Sequence, residues 1–224
     1  MEPCQKRGTA ESVATALNDG LIPGRVVGIG LSHTGTSTLN KLLVMLGCCL
    51  STHNTRMPID EDTPRHDAVV SALQDFQCVS DFPWNTEWRA LSRAYPDSFF
   101  VLTRALTPLH YAISLQLRRE RFAGGPVANL ALLDQSMTVA MREYERHLAE
   151  VRAAYSRHSG YFELCFGCGD DMHTLARSLG VNMSRLPVAM PWEPVHEHAH
   201  PVSENARRED LLRMYAGRKH ASRR

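Results

Sequence analysis

Between Arg25 and Leu46 the chain reads RVVGIGLSHTGTSTLNKLLVML, and no other stretch constrains the fold as strongly. Arg25–Leu31 is a short β-rich run, expected as a buried strand. Ser32–Ser37 is a turn of Gly, Ser and Thr. Leu39, Leu42, Leu43 and Leu46 then fall at i, i+3, i+4 and i+7, one face of a helix, and Gly47 is its expected stop. The spacing predicts the same alternation further on. A short strand falls near Cys48–Thr52, a polar loop over 53–65, a helix over Asp67–Asp75 and a strand over Phe76–Ser80 that ends at Asp81. A helix over Trp84–Tyr95 and a strand over Ser98–Thr103 follow, the latter ending at Arg104. Thr107-Pro108 opens a helix that runs through Ser114 to about Arg121, with Thr as N-cap and Pro at the first position. A long helix over Asn129–Ser156, a strand over Gly160–Phe166, a helix over Asp170–Leu179 and a basic tail helix over 204–224 complete the reading. Short apolar strands alternating with helices imply an α/β fold, a three-layer α/β/α arrangement around a mainly parallel sheet.

The loop at 30–38 points to chemistry. Backbone N–H groups converge in such a loop, and the helix that follows presents partial positive charge at its N-terminus, so the element favours phosphate. Gly30-x4-Gly35 has the spacing of the nucleotide-binding loop G-x4-G-K-[ST]. Thr36 stands where that loop carries the lysine that reaches the β and γ phosphates. A hydroxyl-rich loop without the lysine suits a phosphate group better than a triphosphate–Mg²⁺ complex.

His33-Thr34-Gly35-Thr36-Ser37 resembles the [KR]-[ST]-G-T-[ST] loop of the P-loop sulfotransferases, in particular their shorter branch. The resemblance implies a P-loop nucleotide-hydrolase-like fold. It also implies an enzyme that moves a sulfuryl group from PAPS (3′-phosphoadenylyl sulfate) to a hydroxyl or amine acceptor by in-line displacement, with PAP as product. Ser32, His33, Thr34, Gly35, Thr36, Ser37 and Thr38 would hold the phosphosulfate. His33 stands where the family has Lys or Arg, and would assist the leaving group. Val79-Ser-Asp-Phe-Pro83 is similar to the segment that delivers the family's catalytic base, which maps onto Asp81. Phe99-Phe-Val-Leu-Thr-Arg104 followed by a helix with Ser114 resembles the 3′-phosphate site, where an Arg fork suits a phosphate in geometry and charge. Here Ser114 lies two positions beyond the family's usual spacing, which falls on Ala112. Gly167–Val181, with Pro187 and Pro191 after it, is similar to the family's late G-D-[GD] segment. The resemblance therefore divides the chain into an N-terminal arm (1–24), a sulfotransferase-like domain (25–191) and a His-rich loop with a basic tail (192–224). Arg218-Lys219 is a candidate for the family's late basic motif.

Composition narrows the partners. The 25 Lys and Arg against 24 Asp and Glu leave a net charge of +1, unlike the broad basic excess of a nucleic-acid binder. No run approaches the roughly 18–20 apolar residues of a membrane span, and no signal-peptide pattern follows the opening MEPCQKRGTAES. Cytoplasmic residence is the default expectation, with Cys48, Cys49, Cys78 and Cys165 as reduced, buried thiols. Cys165-x-x-Cys168 reads as thiols at a strand end, with half a zinc site or a redox pair as the alternatives. His196, His198 and His200 read as a solvated loop, so no metal is expected. The expected partner is a small-molecule or glycan acceptor, and a homodimer is compatible with the reading. Two other functions stay open: a P-loop nucleotide or small-molecule kinase, in which Asp81 would imitate a Mg²⁺-binding segment, and a catalytically weak PAPS- or nucleotide-binding module on the same fold.

Overall fold

The computed structural model describes residues 21–48, 50–53, 65–123, 130–182, 184, 206–213 and 215. Residues 1–20 of the N-terminal arm, the His196–His200 cluster, Arg218-Lys219, Pro187, Pro191, Cys4 and Cys49 lie outside these residues. The described chain forms two compact units, Met1–Arg104 with Tyr155–Glu193, and Ala105–Ala154 with Pro194–Arg224.

The first unit holds a five-stranded sheet flanked by helices. Its strands are β1 (Val26–Gly28), β2 (Ser51–His53), β3 (Cys78–Ser80), β4 (Phe99–Thr103) and β5 (Tyr161–Leu164), in the order β2-β3-β1-β4-β5. Every pairing is parallel: Val26 opposes Cys78 and Phe99, His53 opposes Ser80, and Thr103 opposes Leu164. Val26, Val27, Phe100, Val101 and Leu102 are fully buried, as strands covered on both faces require. β1 is central, with β3 and β2 to one side and β4 and β5 to the other. The loop after β1 thus leaves the sheet where the strand order reverses, the place where open parallel sheets bind ligands.

Helix α1 (Thr36–Met45) follows that loop, and its predicted stripe of Leu39, Leu42, Leu43 and Leu46 is buried throughout. These side chains join Val26, Val101, Leu164, Leu175 and Leu179 in one core cluster. Gly47 ends the helix in the left-handed conformation (φ 92°), which a residue without Cβ adopts at little cost. α2 (Arg65–Ala72) and a 3-10 turn (Leu73–Asp75) lead to β3, and α3 (Trp88–Ala94) to β4. α3 starts four residues later than the sequence predicts, because Asn85 N bonds Asp81 O and Thr86 N bonds Pro83 O in tight turns there. Behind β4 and β5 an aromatic cluster forms from Trp88, Phe100, Tyr155, His158 and Tyr161. Burial there pushes the Tyr155 hydroxyl up to about 12, against the pull of a hydrogen bond with Ser92.

The second unit contains α4 (Pro108–Ala123), nearly all of α5 (Leu130–Tyr155) and a helical segment at 206–213. Thr107 caps α4 as expected, its Oγ1 accepting from His110 N at 3.3 Å. Tyr111 and Tyr144 stack at 4.7 Å, and the Tyr144 hydroxyl bonds both N and O of Ala105. Arg207 grips buried Glu120 through two nitrogens, at 3.1 and 3.2 Å. That hydrogen bond raises the Arg207 guanidinium above its ordinary value.

The cysteines correct the sequence reading. Cys48 and Cys78 form a disulfide rather than separate thiols, and so do Cys165 and Cys168. β3 begins beside the chain leaving α1, which brings two cysteines 30 positions apart to a Cα–Cα distance of 6.4 Å. β5 also ends at Leu164, earlier than the predicted Phe166, because α6 (Met172–Ser178) is preceded by a 3-10 turn at Phe166–Cys168. No helix among the described residues is long and apolar enough to cross a membrane.

Candidate functional site

The carboxyl ends of β1, β2 and β3 carry a dense polar network with Asp81 at its hub. Asp81 follows β3, is 7% exposed and holds φ at 67°, a left-handed conformation that Asp tolerates better than most residues. Its Oδ1 accepts from the Ser32 hydroxyl and from Phe82 N (2.9 Å). Its Oδ2 accepts from the Thr36 hydroxyl at 3.1 Å and lies 3.5 Å from His53 Nε2. A carboxylate has about four lone-pair sites, and these neighbours address all of them. Asp81 therefore ties the start of the glycine loop (Ser32) to the first residue of α1 (Thr36).

His53 is the member of this network that the sequence reading left in a polar loop. β2 runs one residue further than predicted, and its register with β3 sets His53 beside Ser80. His53 Nδ1 lies 3.1 Å from Ser80 Oγ, and Nε2 lies 3.0 Å from Ser37 Oγ. Asn85 is a second unforeseen member, donating from Nδ2 to Gly30 O at 3.3 Å. Both contacts join residues far apart in sequence, so only strand pairing could have revealed them.

The loop itself is built tightly. Gly30 lies against Thr103 so closely that a Cβ would sit on that residue's hydroxyl and carbonyl, 2.8 Å from its amide nitrogen. Thr34 turns its buried hydroxyl inward, 2.6 Å from Leu31 O and 2.7 Å from Thr103 Oγ1. His33 (φ 72°) and Gly35 (φ 102°) are both left-handed, which curls the backbone back onto the helix start. A Cβ on Gly35 would lie 2.6 Å from the Phe166 ring. No side-chain hydrogen bond caps the backbone of α1 and no residue of its first turn is acidic; the Asp81 carboxylate meets this helix start through the Thr36 hydroxyl. Ser37 is exposed and Thr38 half-buried at that end.

On the other side of β1, Arg104 follows β4. Its Nε lies 3.4 Å from Glu163 Oε2 on β5, and both side chains are partly exposed. Tyr161 donates its hydroxyl to Glu163 Oε1 at 2.9 Å. Ser114 belongs to the second unit, where it lies on α4 and accepts from Arg208 Nη2 at 3.2 Å. Among the described residues no group of three or more His, Cys, Asp or Glu could hold a metal ion.

Residues 25–114 match the family model of a sulfotransferase domain. The match spans about two fifths of the chain and contains the glycine loop, Asp81, Arg104 and Ser114. It supports a sulfotransferase-like family and a transferase activity, on a wholly parallel α/β sheet that agrees with it. A comparison with curated proteins found no match.

Proposed function

We propose that the protein is a PAPS-dependent sulfotransferase acting on a hydroxyl or amine acceptor. The observation that carries this is the uncapped start of α1, wrapped by a glycine loop that Asp81 fixes at both ends, inside the segment that matches a sulfotransferase domain. Such a helix start binds a phosphate through its N–H groups and dipole, and a 5′-phosphosulfate, which carries fewer charges than a triphosphate and has no γ-phosphate, does not need the lysine that Thr36 replaces.

In this reading the backbone of Ser32–Thr38 holds the 5′-phosphosulfate, with the Ser37 and Thr38 hydroxyls facing it. The Thr34 and Thr36 hydroxyls serve the loop's own shape. His33 donates to the phosphate oxygen that departs. Asp81 takes the acceptor's proton while the acceptor oxygen bonds to sulfur and the bond from sulfur to the 5′-phosphate oxygen breaks. The acceptor hydroxyl enters in place of Ser32 on Oδ1, so that the carboxylate exchanges one donor for another. Arg104 leaves Glu163 for the 3′-phosphate, an exchange that costs little because a partly exposed ion pair is worth only about 0–1 kcal/mol. The acceptor is a small molecule or glycan.

Isothermal titration with 3′,5′-ADP and with ATP–Mg²⁺, followed by transfer of labelled sulfate from PAPS to a mixed acceptor panel, tests the proposal. Binding of 3′,5′-ADP and label transfer are expected, and transfer falls about 10²–10⁴-fold in Asp81→Asn. Mg²⁺-dependent ATP binding without affinity for 3′,5′-ADP would instead favour a kinase.

A further inference from the structure

The Cys165–Cys168 pair has no part in the chemistry above, yet Phe166, between its two cysteines, lies against the loop that does. The disulfide closes the 3-10 turn Phe166–Cys168, which Cys168 N also closes by bonding Cys165 O at 2.8 Å. Asp170 Oδ2 accepts from Cys165 N at 2.7 Å, fixing the exit from β5. Within this short ring Phe166 packs partly against the main core, and its ring covers the Cα of Gly35. The two sulfurs differ in access: Cys165 is fully buried, whereas Cys168 is exposed. The Cys48–Cys78 disulfide is closed to reagents, since both of its cysteines are fully buried.

We propose that Cys165–Cys168 is a thiol–disulfide exchange site for a dithiol reductant, and that its redox state sets the affinity of the glycine loop for its phosphate ligand. The attacking thiolate bonds to the exposed Cys168 Sγ, the disulfide breaks and Cys165 leaves as a thiolate that takes up a proton. The reductant's second thiol then resolves the mixed disulfide, releasing Cys168 as a thiol. The pair gains two electrons and two protons, and the dithiol becomes a disulfide. Once the ring is open, Phe166 keeps its core packing and the two hydrogen bonds of the turn but loses the covalent closure, and its clamp on Gly35 loosens. The loop then has to be ordered when the ligand binds, and part of the binding free energy is lost. The coupling to ligand rests on the phosphate-binding reading of the loop; the exchange chemistry does not.

The test is graded reduction of the full chain with dithiothreitol, read by thiol alkylation and peptide mass spectrometry, beside calorimetry with 3′,5′-ADP in each state. Cys165 and Cys168 are expected to become alkylated at reductant levels that leave Cys48 and Cys78 paired. The affinity for 3′,5′-ADP should fall roughly five- to tenfold on reduction, within the usual range of coupling between sites. The Cys165→Ser/Cys168→Ser double variant should bind at the reduced level in both conditions, and Phe166→Ala should abolish the difference with the disulfide intact. Equal affinity in the two states, or reduction of Cys48–Cys78 first, overturns the inference. If the oxidised protein does not bind 3′,5′-ADP at all, the sulfotransferase reading fails and the coupling falls with it, while the alkylation order still decides the exchange site.

Discussion

The two sides of β1 hold polar residues in opposite ways. Toward β3 and β2, Asp81 is buried and bonded to Ser32, Thr36 and Phe82, with His53 completing the set. Toward β4 and β5, Arg104 shares one partly exposed ion pair with Glu163. Buried bonds to a charge are strong and costly to break, whereas an exposed pair can be exchanged at little cost. The first side keeps a shape in which the proposed function exchanges one donor, Ser32, and the second, in that proposal, trades one anion for another.

Substitutions can sharpen this contrast, and the largest effect is expected where the two sides meet. Gly30→Ala drives a methyl into the backbone of Thr103 and should destabilise the fold by about 3 kcal/mol in urea denaturation. Asp81→Asn leaves the Ser32 and Thr36 hydroxyls and Phe82 N around a neutral amide, at a cost of about 2 kcal/mol by the same measurement. Asp171, on the β5 side, caps α6 by accepting from Thr174 N at 2.8 Å, and its replacement by Ala should cost about 1 kcal/mol. The hydrogen bond from Thr174 N lowers the Asp171 pKa. The cap's contribution is therefore present above the ordinary Asp range and is lost as pH falls through the lower folded-state value. The stability difference between wild type and Asp171→Ala should narrow as acidification carries the pH below the ordinary Asp range. Arg104→Ala should change stability by less than about 0.5 kcal/mol while weakening 3′,5′-ADP in calorimetry. A loss of stability at Arg104 as large as that at Asp81 would erase the distinction between the two sides.

Much of this was legible in the sequence, for reasons that explain what was not. The leucine stripe of α1 and the run Phe99–Thr103 carry their periodicity in consecutive residues, and the structure has both. Asp81 was legible because it ends a strand with a readable apolar signal. His53 was not, because its place depends on the register of β2 against β3, which no local pattern encodes. The Cys48–Cys78 disulfide was missed on the same ground: a connection across 30 residues is set by which strands become neighbours. Ser114 was reached through the family resemblance, two positions off the usual spacing from Arg104, and its bonded partner, Arg208, lies near the other end of the chain.

The wholly parallel sheet bears on the order in which the molecule is made. No two of its strands can be joined by a tight hairpin, so every pairing, from Val26 with Phe99 to Phe100 with Tyr161, must close a long stretch of chain. Topologies of this kind fold slowly, because loop entropy is lost before contacts repay it. The glycine loop can take its shape only after β3 has brought Asp81, β4 Thr103 and the end of β5 Phe166 to its sides. If the loop binds an anion as proposed, recovery of that binding is a late event in refolding, a chemical signal that the sheet is complete.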